Sequence, residues 1–127
     1  MYSEKFSLKK RLKSFVYAFN GLIYMLKHEH NSRIHLFAVI CVIVAGFLFK
    51  ISLIEWIAVV FACGLVFVAE IINSSIEQLA DYISPEPNEK IKTGKDLAAA
   101  AVLVSAIVAV IIGLIIFVPY IIKIFLL

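Results

Sequence analysis

The chain has 127 residues, of which 63% are hydrophobic and 17% charged, with a mean hydropathy of +1.02, whereas soluble domains carry roughly 45–50% apolar residues. This composition specifies an integral membrane protein of one domain with room for about three spanning helices, since each crossing takes about 20 residues, and it excludes a large soluble catalytic domain. The net charge of +3 sits on basic residues flanking apolar runs, where it sets membrane orientation, so no nucleic-acid partner is expected.

Over residues 8–30, Leu8, Leu12, Phe15, Val16, Phe19, Leu22, Ile23 and Leu26 recur at three- and four-residue spacing while the lysines lie mostly elsewhere on the wheel. The pattern predicts an amphipathic surface helix, with its basic face among anionic headgroups and its apolar face in the acyl boundary or against its own bundle. Lys5, Lys9, Lys10, Arg11 and Lys13 open the chain, but apolar sequence begins only near Ile34 and no small-residue cleavage site follows it; no cleaved signal peptide is read.

Three apolar spans follow, at about residues 34–49, 56–72 and 97–122. Lys50, Ser52 and Glu55, with Trp56 as an interfacial aromatic, predict a tight hairpin between the first two. Of the 12 Lys and Arg residues, seven precede the first span and Lys90, Lys92 and Lys95 lie between the second and third, leaving Lys50 and Lys123 on the other side. The positive-inside rule then puts the N-terminus in the cytoplasm and the C-terminus outside. Cys41 and Cys63 fall inside apolar runs and lack the spacing of a disulfide or metal framework.

Between the second and third spans, Pro85, Pro87, Asn88 and Gly94 predict a mobile loop over residues 84–94. Thr93 and Asp96 have the T-x-x-D spacing of a capping box that would open the third helix.

The stretch most informative about chemistry runs from Ala69 to Asp81. Glu70, Asn73, Glu77 and Asp81 stand at offsets 0, 3, 7 and 11, which at about 100° per residue places them within about 80° of one helix face. Glu70 directly follows the apolar run from Trp56, where an acid is costly unless it meets a polar partner or cavity, and is a candidate functional residue on that ground. Asp81 reads equally as a solvated residue on a helix leaving the membrane. Glu29 and Arg33 have i, i+4 spacing and a simple ion pair accounts for them. Lys95 and Asp96 stand at the mouth of the third span, within reach of the acidic stripe in a compact bundle, but taken in isolation they read first as a positive-inside lysine with a capping acid. Carboxylates converging on one side of a membrane suit Mg²⁺, which one or two of them commonly hold together with substrate phosphates. No GxxxxGK[ST], GxGxxG, HExxH or Ser-His-Asp pattern occurs, so any ATP site is not of the P-loop or protein-kinase type. His28, His30 and His35 match no metal-binding spacing and read as headgroup-level residues.

These residues together resemble the small prokaryotic diacylglycerol kinases, integral membrane lipid kinases that include undecaprenol kinases. The match is carried by Glu70-Ile71-Ile72-Asn73-Ser74-Ser75-Ile76-Glu77, Asp81 and Lys95-Asp96 with the Ala-rich start of the third span, supported by Tyr17, Gly21, Leu22, Glu29 and Arg33. The resemblance implies an all-α membrane protein, with an N-terminal amphipathic surface helix and three transmembrane helices, assembled as a homotrimer in the bacterial cytoplasmic membrane. Its active sites would lie between neighbouring subunits and transfer the ATP γ-phosphate to a lipid alcohol. By matching position, Glu70 resembles the general base and Glu29 and Glu77 the Mg²⁺ ligands, with Asn73, Arg33 and Ser74 as supporting or substrate-contacting residues. Lys10 (or Arg11), Tyr17, Glu29, Glu77, Glu86, Asn88, Lys95 and Asp96 resemble ATP-site residues. Two departures matter. Asn88 stands where many relatives have a histidine, and the Asn31–His35 stretch is more similar to the undecaprenol-kinase branch, which tilts the substrate from diacylglycerol toward undecaprenol.

Two non-enzymatic readings compete. An oligomeric channel or transporter would run a cation path past Glu70, Asn73 and Glu77, but the first and third spans offer only Cys41 and Ser105 as deep polar residues. A structural assembly factor would leave the aligned carboxylates incidental, with no nucleotide-dependent metal binding. The small residues Ala98–Ala101 fit close helix contact in a dimer or a trimer.

Overall fold

A computed structural model describes residues 5–126 and contains four helices: α1 (Leu8–His28), α2 (His30–Phe49), α3 (Leu53–Ile83) and α4 (Glu89–Phe125), with no strand among the described residues. The last three are long and apolar enough to cross a membrane, and as helices they satisfy their own backbone donors and acceptors, which lipid requires. The chain is an all-α integral membrane protein. With 31 residues, α3 extends for about 46 Å, so it overruns a hydrocarbon layer of about 30 Å by about ten residues. That overrun carries the acidic stripe beyond the apolar segment while keeping it on one continuous helix.

The α2–α3 hairpin turns tightly. Lys50 takes the left-handed conformation (φ 54°) and its N–H, with that of Ile51, closes on the Phe47 and Gly46 carbonyls. Ser52 and Glu55 then form a capping box, each side chain accepting from the other's backbone N–H. Glu55 reaches further: the Tyr120 hydroxyl of α4 donates to its carboxylate at 2.5 Å. Around this knot Ile51, Val59 and Ile116 are buried, with Phe49 and Phe117 packed over them. The indole of Trp56 lies so close to Gly46 that a Cβ there would come within 2.5 Å of the ring.

The α3–α4 connection is shorter than the sequence predicts. Asn88 opens α4, its side chain accepting from the Lys90 and Ile91 N–H groups, so the loop ends at residue 88 and Gly94 lies inside the helix. The predicted Thr93–Asp96 box does not form. Thr93 instead donates to the Glu89 carbonyl and Asp96 pairs with Lys92 at 2.8 Å. An Asn cap satisfies the free donors one turn earlier, and one interior Gly costs only about 1 kcal/mol.

The most extensive packing is between α3 and α4, while α1 meets α2 and α3 near its C-terminus, where Met25 is buried. Deep in α4 the buried Ser105 hydroxyl donates to the Val102 carbonyl of its own helix. The contact at the hairpin makes a stability prediction. Gly46→Ala forces the Trp56 ring to move and should destabilise the protein by about 1–3 kcal/mol, read as a lowered thermal unfolding midpoint in detergent micelles.

Candidate functional site

The site is built at the corner between α1 and α2. Glu29 is the hinge residue, extended in backbone conformation (φ −118°, ψ 120°) and serving at once as C-cap of α1 and N-cap of α2. Its side chain makes no capping hydrogen bond, so its carboxylate stays available. Arg33 fixes the corner: its Nε donates to the Leu26 carbonyl at 2.8 Å and its Nη2 to the Lys27 carbonyl at 2.6 Å, satisfying the end of α1. This corrects the Glu29–Arg33 ion pair expected from spacing. The end of a helix presents a cluster of unpaired carbonyls, and the guanidinium fork meets two of them at once.

Across from the corner stands the stripe on α3. Glu70 is 1% exposed and Asn73 9%; Glu77 is half-buried and receives a long 3.5 Å contact from the Asn73 amide. Glu29, Glu70, Asn73 and Glu77 line one cleft of about 450 Å³ with Tyr24, Gln78 and the polar residues of the corner. The Gln78 amide donates to the Tyr24 hydroxyl at 2.8 Å, and Tyr24 stacks on His28, which ties α1 to α3 at the rim. Sequence reasoning missed Tyr24 and Gln78; their signal was their position beside Glu77 and one turn before His28.

The cleft holds three carboxylates and no lysine or arginine among its lining residues. Carboxylates gathered without a compensating cation repel one another, and the Asn73 Oδ1 is buried without a partner. This is the donor chemistry of a hard cation. Among the described residues no three His, Cys, Asp or Glu side chains enclose a metal by themselves. Mg²⁺ commonly takes one or two carboxylates and completes its shell with water and phosphate oxygens.

The missed neighbour of greatest interest is His35, on α2. Its Nε2 lies 3.0 Å from Glu70 Oε1, close enough for an ion pair, although Oε1 gains no aligned hydrogen bond from it. No sequence spacing links positions 35 and 70, which meet only when α2 packs on α3. His35 also stands at one end of an apolar cavity of about 400 Å³ between α2, α3 and α4, lined by Val42, Val59, Val66 and Phe117 among others.

The remaining predicted residues gather elsewhere. Glu86, Asn88, Lys95 and Asp96 line a second cleft of about 520 Å³ at the α3–α4 turn. There Lys95 pairs with Asp81 at 2.7 Å, so the last acid of the stripe turns to α4 instead of the first cleft. The Asn88 side-chain oxygen is engaged by two backbone N–H groups of its own helix. Tyr17 and Lys10 lie exposed on α1, away from both clefts. Ser74 is buried but faces α1, lining a third cavity with Gly21 and Met25, and its hydroxyl has no partner. One chain thus brings together the acids but not the acids and the basic residues.

Comparison with known proteins points in one direction. The family model described as prokaryotic diacylglycerol kinase matches residues 16–117, so Lys10 lies outside the match. The chain is 38% identical over 112 residues to the undecaprenol kinase of Bacillus subtilis, covering 88% of this chain and 91% of that protein. It is 37% identical over 103 residues to a diacylglycerol kinase of Synechocystis, covering 80% of this chain and 59% of that one. With the diacylglycerol kinase of Escherichia coli K12 it shares 33% identity over 100 residues, 79% of this chain and 82% of the other.

The geometry of the corner is testable. Arg33→Gln removes the two-pronged clasp on α1, and a loss of about 1.5 kcal/mol should speed amide exchange at residues 27–31 about tenfold while leaving α3 and α4 unchanged.

Proposed function

The chain belongs to the prokaryotic diacylglycerol kinase family and is a membrane lipid kinase, and we propose that it transfers the ATP γ-phosphate to undecaprenol on the cytoplasmic side of the inner membrane. The observation that carries the reading is the cleft itself: Glu29, Glu70, Asn73 and Glu77 converge where α3 leaves its apolar segment. Undecaprenol is favoured over diacylglycerol by the Asn31–His35 stretch and by the B. subtilis relative, whose alignment spans more of both chains than that with the E. coli protein. The N-terminus faces the cytoplasm in this reading, because ten of the 12 basic residues lie on that side.

In the mechanism we propose, the lipid hydroxyl enters the cleft from the bilayer and Glu70 accepts its proton as the oxygen attacks the γ-phosphorus, releasing ADP. A base at the hydrocarbon boundary meets a lipid alcohol without drawing it into water. Mg²⁺, when bound, neutralises charge on the phosphates. Glu29 and Glu77 would hold it, with Asn73 supporting the metal through Oδ1 or a phosphate through its Nδ2 donor. Lys95 and Asp96 would serve the nucleotide, with Glu86, Asn88, Tyr17 and Lys10 around it. Such positioning and charge compensation are most of what phosphoryl transfer requires. In this reading a neighbouring subunit of a homotrimer brings the residues of the second cleft to the first, completing a site that one chain leaves divided.

Purified protein in mixed micelles, supplied with Mg-ATP labelled at the γ-phosphate and with undecaprenol and diacylglycerol in parallel, should label undecaprenol more strongly. Glu70→Gln should lower that labelling by at least about 10²-fold; a folded Glu70→Gln protein with normal turnover would remove Glu70 from the base role. Glu29→Gln and Glu77→Gln should each raise the Mg²⁺ concentration for half-maximal activity by about tenfold or more. At a Mg²⁺ concentration too low for Glu77→Gln to turn over alone, mixing Glu77→Gln with inactive Lys95→Ala chains before reconstitution should restore a fraction of wild-type activity if the site is shared between subunits. Strictly absent activity in every mixture would place each site within one chain.

A further inference from the structure

Glu70 is the most buried acid among the described residues whose exposure is quantified, and its surroundings are mostly hostile to a carboxylate. The charged and titratable groups that act on it directly are His35 from α2, Glu29 from the α1–α2 corner and Glu77 from α3 itself, while His28 and His30 line the same cleft from the corner. Two of the three are acids, and no lysine or arginine lines the cleft. His35 Nε2, 3.0 Å from Glu70 Oε1, is therefore the group placed to donate to it. The imidazole is partly buried, its side chain 24% exposed, and it lines the apolar cavity that runs between α2, α3 and α4.

We infer that His35 is a positioning residue for the phosphoryl transfer, its Nε2–H holding Glu70 Oε1 so that the other carboxylate oxygen is directed to the lipid hydroxyl. The inference rests on the reading of Glu70 as the base. A buried carboxylate with one oxygen fixed has a single productive orientation; left without a donor it rotates, and small misplacements of a reacting group are costly in rate. The present contact is close but poorly aligned, the state in which catalytic hydrogen bonds are often found before substrate binds. Neutral imidazole with its proton on Nε2 is sufficient for this, so His35 need not carry the proton away. Its place at the end of the apolar cavity also puts it where an arriving lipid alcohol would pass.

The test separates donor position from polarity. A Gln side chain presents its amide nitrogen about where His presents Nε2, and Asn about where His presents Nδ1. Full-length His35→Gln, His35→Asn and His35→Leu are assayed in mixed micelles with Mg-ATP and undecaprenol or diacylglycerol, beside Glu70→Gln, each first checked for a wild-type elution profile and helical spectrum. The expected result is a kcat within about threefold of wild type for His35→Gln, and a kcat lowered about 10- to 100-fold for His35→Asn and His35→Leu, with KM for Mg-ATP unchanged. Should His35→Leu fail to fold, the contrast between the two amides decides. Equal losses in His35→Gln and His35→Asn, or a change confined to KM for ATP, overturn the inference. Wild-type turnover in His35→Asn beside an inactive Glu70→Gln overturns it while leaving the base role intact, whereas an active Glu70→Gln removes the base role and the inference with it.

Discussion

A carboxylate buried to 1% exposure at the edge of an apolar segment has to be compensated, and the architecture at this end of the molecule is organised around that requirement at Glu70. Compensation comes from three helices. His35 approaches from α2, Asn73 extends the polar surface along α3, and the α1–α2 corner folds over so that the acid opens into a polar cleft instead of lipid. The position of the corner is set by Arg33, whose guanidinium goes to the carbonyls that end α1 and not to Glu29. The consequence is chemical as well as structural: Glu29 retains an unused carboxylate.

The two ends of the helical hairpin are built on opposite principles. At the α2–α3 turn the capping box, the Tyr120–Glu55 hydrogen bond and the Trp56–Gly46 contact leave little polar capacity unspent. At the other end, oxygens of Asn73 and Ser74 are buried without partners and acids are gathered against their mutual repulsion. Unpaired buried polar atoms cost about 1–3 kcal/mol each. A fold closed firmly at one end can tolerate that cost at the other, where it leaves groups ready for a cation and a phosphate.

Legibility in the sequence followed the range of the interaction. The face shared by Glu70, Asn73 and Glu77 was readable because helical periodicity alone puts them together, and the three long apolar helices were readable from composition. The start of α4 was misread, since Asn88 and the Thr93–Asp96 pair are both good local capping signals and the choice between them turns on where the chain leaves α3. Asp81 belongs to the same stripe by period yet pairs with Lys95, because α4 lies closer to the lower part of the stripe than α1 does.

What the sequence determined by itself was the membrane class, the helical periodicity and the identity of the acids on one face, all of which follow from short-range backbone geometry and from the hydropathy of consecutive residues. Only the tertiary structure decided that His35 stands beside Glu70, that Arg33 clasps the end of α1, and that one chain divides the acids and the basic residues between two clefts. Those contacts depend on how helices pack across turns, and packing angle and register are set by the summed fit of many side chains, which no local spacing encodes.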